Sequence, residues 1–332
     1  MDEKRKKMAE EAGQAEIVPT IRFRIALMRY LAAKNVAVIT FVVRGEMRNI
    51  CKAGSLTLAL VLGGLAIHSV RAKAQSPAVK MPPGHMAHVL VISETKGFEH
   101  DSIPDAMATI WKMGHDTKLW EATLRTDTEL ITKKDIKERN VKNLNYFDAL
   151  IFASTTGELN LTEDQKSDMM SFIKDDGKGF VGIHAAADTN YKWPEYGEML
   201  GGWFDQHPWM TFEAPIINEQ PDFPAVRHFP HEFVKRDEIY QIKDWSRDKV
   251  NVLLSLDASK LDYNNPRVHR KDHDFAVAWS KMYGKGRVFY STLGHTKEAW
   301  DDPDIQKMYF EAVKWVLGMT EGSTASHPKP GM

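Results

Sequence analysis

The sequence predicts an α/β fold, a doubly wound and mostly parallel sheet between helices, with β-rich additions in the C-terminal half. Three observations carry this. Short β-branched runs alternate with segments of helical spacing from His88 onward, and such alternation implies right-handed crossovers and a sheet covered on both faces. The apolar run ending at Ile183 passes into a small-residue turn, His184-Ala185-Ala186-Ala187-Asp188, which exposes one imidazole. Carboxyl ends of strands are where such sheets deliver reactive side chains. Finally, Ile305, Met308, Tyr309, Ala312, Val313 and Val316 share one stripe of a segment from Pro303 to Leu317, so the last helix packs on the sheet.

The elements follow in order. His88 to Ser93 reads as a buried strand, Lys96 to Asp101 as a loop, and Ser102 to Met113 as a helix with Pro104 in its first turn. A strand is expected around Thr117–Glu121, a helical stretch near Thr132–Arg139, and a strand at Ala149–Ala153. A helix from Thr162 to Asp176 opens with the capping-box pair Thr162 and Gln165 and stops before Gly177. Gly179 to Ile183 is the next strand. Beyond Gly202 the pattern turns β-rich: Val250–Leu256 is a strand, and Phe275–Lys281 turns through Tyr283-Gly284-Lys285-Gly286 into Arg287–Thr292. Asp302 and Pro303 start the last helix and Gly318 lies past its end.

Composition narrows the function classes. At 332 residues and 43% apolar, the chain supports a sizeable core. With 44 basic against 45 acidic residues and no basic run interleaved with aromatics in the domain, nucleic acid is not an expected partner. Arg44, Arg48 and Lys52 precede an uncharged run from Ala53 to Ile67, and Ala72-Lys73-Ala74 offers the small residues that an export peptidase needs. The reading is a signal peptide over residues 47–74, cleaved after Ala74, with a periplasmic or otherwise extracytoplasmic product. Its alternative is an uncleaved membrane anchor over residues 53–70, the chain's one expected route to a membrane. Residues 1–46 read as a doubtful N-terminal extension, 75–86 as a linker, 87–320 as the domain and 321–332 as a polar tail. Cys51 is the only cysteine and precedes the domain, which excludes a thiol nucleophile and a Cys-ligated zinc site there.

The candidate chemistry lies in imidazoles. His184 stands at the strand end, and Asp188, one turn on if a helix begins there, is expected to fix its tautomer and raise its pKa, giving a general base or acid. The alternative is a buried histidine capping the next helix. His207, held extended by Pro208, and His295, after Gly294, would arrive at the same edge as partners. His100, in the first strand–helix loop, is a substrate-binding candidate, and Glu238 on an alternating strand is the added carboxylate. His184, His207 and His295 could also ligate a divalent metal such as zinc. Trp193, Tyr196 and Trp203 are expected to form an aromatic platform, as suits the C–H face of a sugar ring.

Five segments carry a resemblance. Lys96-Gly97-Phe98-Glu99-His100-Asp101-Ser102-Ile103, Gly182 to Thr189, Gly201-Gly202-Trp203-Phe204 with His207-Pro208, Asp237-Glu238-Ile239-Tyr240, and Tyr283 to Tyr290 with Gly294-His295 resemble those of the ThuA-like trehalose-utilisation family, in order, over residues 87–320. The resemblance implies a flavodoxin-like sandwich similar to class I glutamine amidotransferases. Those enzymes present a nucleophilic cysteine where this chain has His184. It also implies a role in carbohydrate utilisation, with a disaccharide or 3-keto sugar derivative as small-molecule partner. Two functions are therefore expected: acid/base chemistry, metal-assisted or not, by a lyase, isomerase or hydrolase; or a non-catalytic carbohydrate-binding or accessory protein. Convergence of His184, His207 and His295 favours the first. Neither the sugar nor the oligomeric state is specified by the sequence.

Overall fold

The computed structural model of the protein describes residues 84–137 and 141–330. The extension, signal peptide and most of the linker read from the sequence lie outside the described residues. Among the described residues no helix is long and apolar enough to cross a membrane.

Among the described residues, eleven strands and five α-helices follow in order: β1 (Ala87–Ile92), α1 (Ile103–Thr117), β2 (Trp120–Arg125), β3 (Ala149–Ala153), α2 (Glu163–Lys174), β4 (Gly179–Ile183), α3 (Pro194–Leu200), β5 (Trp203–Gln206), β6 (Thr211–Asn218), β7 (Glu232–Glu238), β8 (Gln241–Lys243), β9 (Asn251–Leu256), β10 (Ala276–Tyr283), β11 (Gly286–Ser291), α4 (Lys297–Asp301) and α5 (Pro303–Val316). Nine strands form one sheet in the order β2-β1-β3-β4-β11-β10-β9-β6-β7, and β5 pairs with β8 apart from it. Strands β2, β1, β3, β4 and β11 are parallel. The β-rich additions continue the same sheet in antiparallel pairs.

Alternation along the parallel strands explains the two cores. Val89, Val91, Ile151, Val181, Ile183 and Phe289 face α1, α4 and α5, while Leu90, Ile92, Leu150, Phe152, Phe180 and Tyr290 face α2 and α3. Both faces are apolar, so β3 and β4 read as unbroken hydrophobic runs. All six stripe residues of α5 are buried, and Asp302 caps it by accepting from the N–H groups of Asp304 and Ile305. Thr162 and Gln165 close the expected capping box on α2.

Two elements differ from expectation. Helix α1 runs on to Thr117 and ends at Lys118, in the left-handed region (φ 57°), which displaces the strand expected at Thr117–Glu121 to β2. No α-helix covers the described part of Thr132–Arg139, where only Lys137 is in a 3₁₀ turn. There the Asp168 carboxylate on α2 accepts from Thr132 Oγ1 (3.1 Å) and from the Lys133 N–H (2.7 Å), and Asn143 Nδ2 donates to the Lys134 carbonyl (3.1 Å). These side-chain bonds replace a helical ladder. The described part of the polar tail is anchored: Asn251 Nδ2 donates to the Ser323 carbonyl at 2.8 Å, and His327 Nε2 lies 2.8 Å from that of Val252.

The sheet curls. From β11 to β7 are four strand steps, roughly 19 Å in a flat sheet. Yet Asp237, near the end of β7, accepts at 2.7 Å from the N–H of Gly294, three residues past β11, and three residues reach only about 10 Å. The antiparallel half therefore arches back over the carboxyl ends of the parallel strands and brings Glu238 with it.

Candidate functional site

Strand β4 delivers His184 through a tight turn. Its φ is 46°, a left-handed conformation that costs a non-glycine residue free energy and persists only where neighbours enforce it. The enforcing bonds are visible: Tyr290 Oη donates to the His184 carbonyl and Tyr196 Oη to that of Ala186, both at 2.7 Å. Gly182 must lack a side chain, since a Cβ there would lie 2.8 Å from Leu200 Cδ1 and 3.0 Å from Tyr290 Cδ2.

The His184 ring is fully buried. Its Nδ1 lies 2.6 Å from the Thr292 carbonyl, which can only accept, so Nδ1 carries the proton and Nε2 keeps its lone pair. Tyr240 Oη donates to that lone pair at 2.9 Å, and His295 Nδ1 lies 3.1 Å from it. Asp188 does not set this tautomer. A 3₁₀ turn over His184–Ala187 replaces the expected helix, and the Asp188 carboxylate accepts from Tyr191 Oη at 2.5 Å instead. Burial raises the Asp188 pKa and, with the neighbouring imidazoles, lowers that of His184 well below the ordinary imidazole range, opposite to the expected rise. His184 is a lone-pair donor rather than a proton carrier.

His295 is fixed through its loop. Tyr309 Oη donates to the Leu293 carbonyl (2.5 Å), while Ser102 Oγ (3.0 Å) and Trp300 Nε1 (3.2 Å) donate to that of Gly294. Asp237, wholly buried, accepts from the N–H groups of Gly294, His295 (3.1 Å) and Glu238 (2.9 Å). Burial pushes this carboxyl up to about 7 against the pull of those bonds. The ionised form accepts these bonds most strongly. His100 completes a triangle: its ring centroid lies 4.8 Å from that of His184 and 5.1 Å from that of His295, and these two lie 5.0 Å apart. Burial and the His295 imidazole push His100 down to about 4, and burial also lowers His295 and His207.

Glu238 is the carboxylate between them. Its oxygens lie 3.4 Å from His207 Nδ1, 3.4 Å from His295 Nδ1 and 3.7 Å from His184 Nε2. Burial and the Asp237 carboxylate push it up to about 7. His207 stacks on Phe204 and has Met210 Sδ 3.0 Å from Nδ1. A cleft of about 390 Å³, lined by Phe98, Glu99, His100, Asp101, His295, Thr296, Lys297 and Glu298, opens onto the cluster. A larger one of about 550 Å³ lies beside Trp111 and Trp120 and touches none of these imidazoles.

The expected tryptophan platform does not form. Tyr196 is wholly buried and Trp193 nearly so, both in the core on the α3 side of the sheet. The Trp203 indole packs on Gly197. Tyr196 lies on the buried face of α3, and Trp193 stands at its N-cap. A Cβ on Gly197 would fall inside the Trp203 indole, so Gly197→Ala is expected to destabilise the domain by about 1–3 kcal/mol, read as a lowered Tm. The aromatic surface at the site is Phe98, which is 64% exposed, with Phe204 against Tyr240. Tyr240 was legible as a same-face neighbour of Glu238, two residues on along an extended segment; the Thr292 carbonyl has no signal in side-chain pattern.

A doubly wound sandwich with a strained elbow at the end of β4 defines the class: an α/β sandwich domain that carries His184 at the elbow and, among the described residues, no cysteine. The family follows from direct comparison. The model of the ThuA family, described as trehalose utilisation, matches residues 88–316, more than half of the chain, and this protein belongs to that family. Among solved structures it is similar to a ThuA-like protein from Bacteroides uniformis (24% identity, TM-score 0.55, covering 72% of this chain and 94% of that one). A second ThuA-like protein, from Parabacteroides merdae, matches at 15% identity and TM-score 0.55 over 74% of this chain and 94% of that one. At these identities the likeness shows the fold. No curated protein matches the chain significantly.

Proposed function

We propose that this ThuA-family protein is an enzyme of carbohydrate utilisation that moves a proton on a sugar derivative bearing a carbonyl, such as a 3-keto disaccharide. The observation that carries the reading is the convergence of His184, His207 and His295 on the two oxygens of one buried carboxylate, Glu238. A merely binding surface has no need to hold a carboxylate among neutral imidazoles at the foot of a cleft.

A ketone makes the adjacent C–H acidic. Glu238 is the base: its carboxylate takes the proton from that carbon, and the electron pair moves onto the carbonyl oxygen. Burial keeps its pKa close to the operating range, where a general base is most effective. His295, which lines the cleft, supplies the imidazole nearest the developing oxyanion, and His207 holds Glu238 from the other side. Phe98 offers its exposed ring to a sugar face, and Glu99, Asp101, Lys297 and Glu298 offer hydroxyl partners. In isomerisation the proton returns to a different atom; in elimination the enolate electron pair re-forms the carbonyl and makes a C=C bond to the neighbouring carbon, the bond from that carbon to the glycosidic oxygen breaks, and the departing oxygen takes the proton. Export through residues 47–74 belongs to the same proposal and places the substrate outside the cytoplasm.

The test is a screen of the purified protein against disaccharides and their 3-keto derivatives. Turnover of a keto derivative, with the parent disaccharide inert, is the expected result. Turnover of neither class contradicts the reading.

A further inference from the structure

We infer that His100, His184 and His295 form a binding site for a divalent transition-metal ion of the zinc class, with an open coordination position facing the cleft. One ring nitrogen from each of the three lies within 4.8 Å of the others. The set differs from the one expected from the sequence: His100 stands in place of His207, which faces Glu238 and Met210.

The crowding and spacing at His184 and, separately, an unpartnered nitrogen on His100 point to an ion. His184 Nε2 has a single lone pair, set by the Thr292 carbonyl on Nδ1, yet both Tyr240 Oη and His295 Nδ1 crowd it. A hydrogen-bonded imidazole needs one such neighbour. The His184–His295 separation of 3.1 Å is close to the roughly 3.3 Å between two nitrogens on a tetrahedral ion at ~2.0–2.1 Å. The His100 Nδ1 is buried without a hydrogen-bond partner on a residue only 4% exposed. An orphaned acceptor or donor there is costly, a penalty that coordination would remove.

The surroundings fit as well. A backbone carbonyl on the far nitrogen of a ligating histidine fixes its orientation and raises its basicity, as Thr292 does for His184. The three ligands come from loops that are themselves tied together, since Ser102 Oγ in the His100 loop donates to the Gly294 carbonyl in the His295 loop. Neutral imidazoles select zinc, cobalt, nickel, copper or iron over calcium and magnesium, which require oxygen donors. Glu238, 3.4–3.7 Å from two of the ligands, is near enough to join the set or to bond a water on it. Three protein nitrogens with one position left to the cleft is the pattern of a catalytic rather than a structural zinc site.

The test uses the whole purified protein, stripped with chelator and titrated with Zn²⁺ by calorimetry, and loaded with Co²⁺ to read the visible spectrum of a tetrahedral site. One equivalent is expected to bind. His100→Gln and His295→Ala are each expected to weaken binding by at least about 10-fold to 100-fold and to change the cobalt spectrum, whereas His207→Ala binds as the parent does. A melting curve on each variant separates lost ligation from lost folding, and the rim position of His295 gives a readout if His100→Gln fails to fold. Absence of stoichiometric binding, or parental affinity in both His100→Gln and His295→Ala, overturns the inference. The inference shares its site with the proposed reaction, but the readout needs no sugar. Metal binding without turnover would remove the proposed function and leave the ion site standing, and turnover by a protein that binds no stoichiometric ion would do the reverse.

Discussion

Glu238→Gln is expected to lower turnover by about 10²–10⁴-fold, the contribution of a positioned general base, while the protein melts within a few degrees of the parent. The two side chains have the same shape. The glutamine amide can still meet the imidazole nitrogens of His207 and His295 that lie 3.4 Å from the native carboxylate, so the packing around β7 is retained. What is lost is the basicity of the carboxylate that would accept the substrate proton. The four imidazoles cannot substitute, because burial drives all of them toward weaker basicity. Steady-state assays with the keto sugar found in the screen provide the measurement. A fall in kcat with KM little changed is the signature of a group that acts only in the transition state.

Asp237→Ala is expected to be the most damaging single substitution for the fold of the site, at about 3–5 kcal/mol. The side chain is wholly buried and accepts the backbone N–H groups of Glu238, Gly294 and His295. Removing it leaves three donors without an acceptor, each costing about 1–3 kcal/mol when unsatisfied. It also cuts the link that pulls the antiparallel half of the sheet over the parallel half. In a domain of this size such a loss lowers Tm by about 10 °C. Asp237→Asn is expected to fall between, because its carbonyl keeps one acceptor while its amide opposes a backbone N–H. An unchanged melting curve for Asp237→Ala would show that the loop after β11 holds itself.

How far the sequence reaches can be seen residue by residue. Strands β3 and β4 were legible to the residue, since five apolar residues bounded by polar ones or glycine admit little else in a sheet covered on both faces. The capped ends of α2 and α5 were legible from Thr162, Gln165 and Asp302. The segment after Thr132 was not, because the carboxylate that reorganises it, Asp168, lies on another element. At the site, His100, His184 and His295 follow strands β1, β4 and β11, so a parallel sheet brings them to one edge. That much is topology, and topology can be read from alternation. The partner of His184 could not be read that way. Asp188 has the spacing of a helical neighbour, but the positive φ at His184 turns the chain before a helix can start, and the group that sets the tautomer is the main-chain carbonyl of Thr292. The aromatic platform failed for a related reason: Trp193 and Tyr196 look like ligand-binding rings beside the motif, but α3 turns them into the core.

In the proposed reaction Glu238 removes a proton from a carbon next to a sugar carbonyl. The most direct measurement is exchange with solvent: a 3-keto disaccharide incubated with the protein in D₂O, followed by NMR of the C–H adjacent to the ketone. The parent protein is expected to accelerate deuterium incorporation at that carbon, and Glu238→Gln is expected to leave it at the rate of buffer alone. Exchange that is no faster than buffer with the parent protein, or equally fast with Glu238→Gln, would contradict it.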